Sequence, residues 1–171
     1  MLMREELERD NRFRIDDKEL DWLFSNLHIY SYSFETIEVG KLRRFTEGRI
    51  WSISDTINYK YLIHPEDSAI SANYKKYCED KENLLDNPDR SQASFFRLRD
   101  DLSNNEYDPQ KAVIIINQYN IIEDGLHRSC ILLAQHGENY KIKVVKIRRK
   151  NTRKLLYLSP LYELTHLFGS R

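Results

Sequence analysis

The stretch 123–129, EDGLHRS, has the residue types and spacing in this sequence that best suit chemistry. An acid pair precedes Gly125, and His127 and Arg128 stand side by side at the start of an amphipathic run. A glycine can take a positive φ, and a helix that begins just after it presents unpaired N–H groups and a positive dipole end. Arg128 adds a planar, permanently charged fork that suits phosphate oxygens. These features favour an anion site about as strongly as a plain turn followed by a solvated helix start.

Several roles are open to the other polar side chains of this stretch. His127 can donate a hydrogen bond or change its charge near neutral pH. Asp124 or Glu123 can bind Mg²⁺, orient His127 or cap the helix that follows. The residue types alone do not choose among these roles.

The elements that must position these residues can be predicted from hydrophobic periodicity and from turn residues. Helices are predicted over 3–27 (with Asp16 as a cap), 64–80 (with Pro65 in the first turn), 91–104, 126–136 (with Gly137 as C-cap) and 155–168. Strands are predicted over 28–39, 113–116, 121–122 and 140–147, with a hairpin-like turn over 117–120. The state of residues 50–63 is left open. Helices and strands interleave without a regular βα repeat, so the predicted fold class is α+β.

Composition limits the class of protein further. The chain has 171 residues, which predicts a single domain over 1–171. Its 27 basic and 27 acidic residues give zero formal net charge, which argues against bulk binding to nucleic acid or membrane. No apolar run approaches the length of a membrane span, the N-terminus is too charged for a secretion signal, and the two cysteines form no CxxC motif. We therefore expect a cytoplasmic protein with reduced thiols and no structural metal; the oligomeric state is left open.

The segment 112–137, AVIIINQYNIIEDGLHRSCILLAQHG, resembles the ParB/sulfiredoxin-like superfamily. The mark of that family is a hairpin strand that ends in D-G-x-H-R and runs into a helix. The resemblance implies a mixed sheet flanked by helices, with a core over 34–147 and helical additions over 1–33 and 148–171. It also implies that Gly125, His127, Arg128 and Ser129 contact nucleotide phosphates.

Individual residues of this turn argue against two branches of the family and favour a third. Leu126 stands where sulfiredoxins carry a cysteine, which argues against their repair reaction. Chromosome-partitioning proteins carry G-E-R-R at this turn and continue into a helix-turn-helix, which the chain after 147 is too short to form. The D-G-x-H-R form is closest to the free-serine kinases of this fold, which phosphorylate a small hydroxyl compound with ATP or ADP.

That likeness implies a nucleotide-dependent kinase for a small molecule, using ATP or ADP (with CTP as an alternative) and Mg²⁺. Asp124 would serve as the metal ligand, His127 would donate to the phosphates, and Glu47 is the nearest candidate for the general base that takes the hydroxyl proton. The alternative function is a non-catalytic ParB-like module that regulates a partner or binds nucleic acid, or a nuclease.

A basic run supports the nucleic-acid alternative. Residues 141–154, KIKVVKIRRKNTRK, hold eight basic residues among fourteen. Alternation within the run equally predicts a strand whose lysines face solvent. Arg43 and Arg44 could add phosphate contacts, and so could one of Arg97 and Arg99, which point to different helix faces.

Overall fold

The computed structural model of the chain describes residues 2–46, 48–85 and 92–150, and these fold into six α-helices and six β-strands. The helices are α1 (Leu2–Arg9), α2 (Asp17–Asn26), α3 (Ile57–Ile63), α4 (Ser68–Leu85), α5 (Gln92–Asn104) and α6 (Leu126–His136). The strands are β1 (Ile29–Glu38), β2 (Arg43–Thr46), β3 (Arg49–Ser52), β4 (Ile114–Asn117), β5 (Ile122–Asp124) and β6 (Lys141–Arg149). Short 3₁₀ turns lie at Val39–Lys41 and Ile53–Asp55.

A mixed four-stranded sheet organises these elements in the order β1-β6-β4-β5. β6 is antiparallel to β1 and parallel to β4, and β5 forms an antiparallel hairpin with β4. Parallel neighbours need a crossover connection, and α6 supplies it between the hairpin and β6. β2 and β3 form a separate hairpin, which touches the sheet at an Arg43–Ile121 bridge. The predicted α+β class is thus confirmed.

Both faces of the sheet are covered, which explains the continuous apolar run of β4. One face packs Ile114, Ile116 and Val144 against Cys130 and Leu133 of α6. The other face packs Ile115 and Val145 against helices α1 and α2, through Leu7, Leu20 and Leu23. Fully burying one such aliphatic side chain stabilises the fold by about 1.5–3 kcal/mol.

An aromatic cluster fastens the helices α3, α4 and α5 beside α6. Its buried members include Tyr61, Tyr74, Phe95 and Ile131. The rings of Tyr61 and Tyr74 stack with their centroids 4.3 Å apart. This cluster fixes α5 next to the first turn of α6, where the predicted site residues lie.

The predicted helix over 3–27 is wrong as a single element. α1 ends at Arg9 and α2 begins at Asp17, with a turn at 11–12 and an irregular segment between them. Asp10 makes the break, because its carboxylate accepts hydrogen bonds from both the backbone and the guanidinium of Arg12. The predicted cap is confirmed: Asp16 accepts a hydrogen bond from the N–H of Lys18.

The helix predicted to begin at 64–67 begins later. α4 starts at Ser68, so Pro65 lies before the helix instead of in its first turn. Asp67 accepts hydrogen bonds from the N–H groups of Ala69 and Ile70 and therefore caps the helix. The helix also continues past the predicted end near 80, as far as Leu85.

The predicted helical additions also need correction. β1 begins at Ile29 and β6 ends at Arg149, so the sheet extends into both 1–33 and 148–171. The helix predicted over 155–168 lies outside the described residues. Among the residues described, no helix has the length and apolar character needed to cross a membrane.

Candidate functional site

The hairpin that leads into the site is held by a buried asparagine. The Asn117 side-chain oxygen accepts hydrogen bonds from the N–H groups of Tyr119 and Ile121, at 2.9 and 3.2 Å. Its amide nitrogen donates to Glu123 Oε1 at 2.8 Å, and that oxygen also lies 3.0 Å from Arg149 Nη2. The Glu123 carboxylate therefore binds within the hairpin and to β6, and is not part of an acid pair with Asp124.

Gly125 occupies the strand-to-helix turn, as predicted. It has φ 92° and ψ 23°, and it is the N-cap of α6 without any side-chain cap hydrogen bond. A Cβ at this position would lie 2.9 Å from Ile114 Cγ1 and 3.2 Å from Ile114 Cα. The turn therefore requires glycine for two reasons, the left-handed backbone and the close approach of β4.

Arg128 folds back from α6 over this turn. Its Nη1 atom donates to the Val113 carbonyl at 3.0 Å and lies 3.6 Å from Asp124 Oδ2. The two charged side chains are 21% and 29% exposed, so both are accessible to a ligand. A pair with this exposure contributes about 0–1 kcal/mol to stability, so stability alone does not explain its placement.

Tyr107 fixes the start of β4, where Arg128 binds. Its hydroxyl donates to the Lys143 carbonyl at 2.9 Å and accepts from the Ile114 N–H at 3.0 Å. Burial raises the pKa of Tyr107 to about 12, so the hydroxyl keeps its proton at neutral pH. The Val113 carbonyl is thereby held at a defined position beside Arg128.

Asp124 and Arg128 line a cleft of about 580 Å³. Its other walls come from the segment around Arg14, from the first turn of α2, and from residues 111–113 at the start of β4. The basic side chains that line it are Arg14, Lys18, Lys111 and Arg128. The acidic ones are Asp16, Glu19 and Asp124. A concave site with both charges suits a phosphorylated ligand and its cation.

Sequence reasoning missed most of these charged residues. Arg14 and Lys18 lie in the segment assigned to an addition, and Lys111 lies in a loop without a recognisable motif. The only available signal was the position of Arg14, Asp16 and Lys18 around a predicted helix cap. That signal does not show that residues 111–113, distant in sequence, pack beside Arg14.

His127 does not share this cleft with Arg128. Its ring lies against Phe95 of α5, with centroids 4.5 Å apart. Successive residues of a helix point about 100° apart, so neighbours in sequence face different partners. Among the predicted contacts that the structure describes, Asp124 and Arg128 lie together, while His127 faces the aromatic cluster.

Ser129 also points elsewhere. It is fully buried, and its hydroxyl donates to the Gly125 carbonyl at 2.9 Å. The side chain therefore stabilises the first turn of α6 and does not line the cleft. Cys130, the next residue, is buried as well, and burial raises the pKa of its thiol to about 12, which makes it unsuitable as a nucleophile.

The predicted general base, Glu47, lies outside the described residues. Within those residues, no group of three or more His, Cys, Asp or Glu side chains is placed to hold a metal. Asp124 offers a carboxylate at the predicted position, and Asp16 and Glu19 also line the cleft. Mg²⁺ fits such a site, because it is commonly held by one or two carboxylates together with substrate phosphates.

Three of the four additional arginines considered from sequence have other partners. Arg43 donates to the carbonyls of Gly40 and Leu42, and Arg44 donates to the Ile122 carbonyl. Arg99 pairs with Asp100 at 2.8 Å. None of the four arginines, including Arg97, belongs to the lining of the cleft.

The basic run forms a strand, as its alternation predicts. Lys141, Lys143 and Arg148 are exposed along β6. Lys146 pairs with Glu35 at 3.4 Å, and Arg149 pairs with Glu123. The described part of the run is therefore partly neutralised, and residues 151–154 lie outside the described chain.

Comparisons of the chain with protein-family models, with curated proteins and with solved structures find no match.

Proposed function

We propose that this protein is a nucleotide-binding phosphotransferase of the ParB/sulfiredoxin-like fold, which transfers a phosphoryl group to a small hydroxyl compound. The observation that carries the proposal is the Asp124–Arg128 pair, which lines a cleft with three further basic side chains. The resemblance of 112–137 to the superfamily supports it. So does the arrangement of β4, β5 and α6, in which a D-G turn joins a hairpin strand to a helix.

The proposed chemistry follows from the charges. The hydroxyl oxygen of the acceptor attacks the terminal phosphorus, the bond to the nucleotide leaving group breaks, and the hydroxyl proton passes to a base. Such transfer depends chiefly on positioning and on neutralising phosphate oxygens. Arg128 would bind those oxygens, and Asp124 would hold Mg²⁺, which screens their charge. Glu47 stays the prediction for the base.

Nucleotide binding is tested by thermal shift with ATP, ADP, CTP and GTP, each with and without Mg²⁺. A ligand that binds the folded state raises the melting temperature by mass action. We expect a shift with at least one nucleotide, lost in Arg128→Ala and partly kept in Arg128→Lys. Arg49→Ala, an exposed arginine of β3 outside the cleft, is the matched control. No shift with any nucleotide, or an equal shift in Arg128→Ala, would reject the site.

Transfer itself is tested by ³¹P NMR with the bound nucleotide and a set of small hydroxyl compounds. A new phosphate-ester signal that disappears in Arg128→Ala supports the phosphotransferase. Binding without any ester formation would favour the alternative, a non-catalytic nucleotide-binding module.

Nucleic-acid binding, the alternative function, depends on the basic strand β6. Lys146 and Arg149 of the basic strand have carboxylate partners on β1 and β5. The strand therefore offers three of its five basic side chains, Lys141, Lys143 and Arg148, to a phosphate backbone.

A further inference from the structure

Most of the uncompensated positive charge in the cleft does not belong to Arg128. Arg128 already faces Asp124 at 3.6 Å and donates to the Val113 carbonyl. In contrast, Arg14, Lys18 and Lys111 are exposed, and within the described residues none of their side chains forms an ion pair. We call these three residues the basic wall. A charge without a partner attracts an anion more strongly than one that is already neutralised.

The backbone holds the basic wall in place. The Arg14 N–H donates to the Pro109 carbonyl at 2.8 Å, and the Val113 N–H donates to the Arg14 carbonyl at 3.1 Å. These bonds bring the Arg14 and Lys111 segments together at one side of the cleft. Lys18 belongs to the first turn of α2, which the Asp16 cap holds in place.

The acidic residues of the cleft leave this charge available. The Asp16 carboxylate accepts the N–H of Lys18 as a helix cap. Asp124 faces Arg128. Glu19, the third acidic side chain of the lining, is half-buried at the first turn of α2.

We propose that the basic wall is the principal binding site for a polyphosphate chain, and that it makes the protein prefer nucleoside triphosphates and diphosphates over monophosphates. The inference rests on the proposed function and deepens it by naming the ligand class and the residues that select it. A polyphosphate carries several negative charges along an extended chain, so it can span from Arg128 to the basic wall. A monophosphate carries fewer negative charges for these cations to bind.

The test uses isothermal titration of the full chain with inorganic tripolyphosphate, ATP and AMP. The variant is Arg14→Gln/Lys111→Gln, which removes two charges from side chains without described ion pairs. The matched control is Lys76→Gln/Arg97→Gln, which removes two charges from exposed positions of α4 and α5 outside the cleft. Circular dichroism and thermal melting establish that each variant is folded.

We expect the wild type to bind tripolyphosphate and ATP more tightly than AMP. Each lost charged hydrogen bond weakens binding by about tenfold, so the wall variant should bind tripolyphosphate about a hundredfold more weakly. The control should match the wild type. The exchange Arg14→Lys/Lys111→Arg should retain most of the affinity, because it keeps both charges.

Two results would overturn the inference: equal tripolyphosphate affinity in the wild type and the wall variant, or no binding of tripolyphosphate by the wild type. Binding of tripolyphosphate that depends on the wall, but no binding of any nucleotide, would sustain the basic wall as a polyphosphate site and overturn both the nucleotide preference and the proposed function. The polyphosphate site and the proposed function therefore fail separately.

Discussion

At the scale of single residues, the site region divides into side chains that build the turn and side chains that face the cleft. Asn117, Gly125 and Ser129 direct their atoms to nearby backbone and are buried. Asp124 and Arg128 are about one quarter exposed and face the cleft. The first set should affect folding, and the second set should affect binding.

Gly125→Ala should destabilise the fold more than Gly48→Ala. Both glycines have positive φ, at 92° and 73°, so both substitutions strain the backbone. Only at Gly125 would the new Cβ meet β4, since nothing lies within 4 Å of it at Gly48. We expect an additional loss of about 1–3 kcal/mol in the free energy of unfolding, measured in urea. Equal losses would contradict the close approach of Ile114.

Asn117→Ala should cost about 2–4 kcal/mol in the free energy of unfolding, because it leaves buried polar groups of the hairpin unpaired. Gln118→Ala is the control, since its hydrogen bonds to Arg149 are longer, at 3.3 and 3.4 Å. That variant should lose less than about 1 kcal/mol. A small effect at Asn117 would show that the hairpin is held by its strands alone.

At the scale of elements, the turn between α1 and α2 determines where the basic wall begins. Asp10 ends α1 by binding Arg12, and its carboxylate also accepts from the Tyr32 hydroxyl of β1. Hydrogen bonds from Arg12 hold the pKa of Asp10 below its usual value. The segment that carries Arg14 is thus anchored to the sheet by one ionised carboxylate.

This anchor makes a pH-dependent contribution to stability. Because the pKa of Asp10 is lowered in the folded state, its contribution is fully present above the unfolded value of about 3.9 and is lost as the pH falls below it. Arg12→Ala should therefore lower the urea midpoint at pH 7, and the difference from wild type should shrink toward pH 3. In an Asp10→Asn background the effect of Arg12→Ala should no longer depend on pH. A constant difference at both pH values would mean that Arg12 acts through packing on Phe34.

The cap of α4 offers a second test at this scale. Asp67→Ala removes the acceptor of two N–H groups, and we expect a loss of about 1 kcal/mol in the free energy of unfolding. Asp55→Ala, an exposed acid without a cap hydrogen bond, is the control. If both variants unfold at the same urea concentration, Asp67 does not cap the helix.

At the scale of the whole molecule, both faces of the sheet are covered by helices. The two buried cysteines allow the packing of those helices to be tested by chemical labelling. Cys130 of α6 lies in the core, and its sulfur is 3.5 Å from the hydroxyl of Thr56, the N-cap of α3. Cys78 is buried in the aromatic cluster. Neither thiol should be reached without opening of the surrounding helices.

We therefore expect iodoacetamide at pH 8 to leave Cys130 unlabelled in the native protein. Labelling should begin only at urea concentrations that unfold the chain, because burial and the raised pKa both suppress the thiolate. Mass spectrometry of the labelled peptides separates Cys130 from Cys78. Rapid native labelling of Cys130 would contradict the packing of α6 on the sheet.

Local signals in the sequence predicted much of the fold and only part of the site. Alternation and buried runs predicted β1, β4 and β6, and the glycines predicted both ends of α6, since these features depend on neighbouring residues. The break after Arg9 was missed because it depends on how Asp10 binds Arg12. Arg14 and Lys111 were missed because a backbone contact between distant segments brings them together. His127 was predicted to lie beside Arg128, and its packing on Phe95 depends on where α5 lies.

The backbone contact at Arg14 has a consequence for synthesis of the chain. Gln110 also binds the Asn11 carbonyl, so residues 99 positions apart meet at this point. The ribosome adds roughly 5–20 residues per second, so the segment around Pro109 is synthesised roughly 5–20 s after the Arg14 segment that it contacts. During that interval α1 and α2 have no strand β4 to cover. A nascent chain therefore cannot complete the lining of the cleft until Arg128 has emerged from the ribosome.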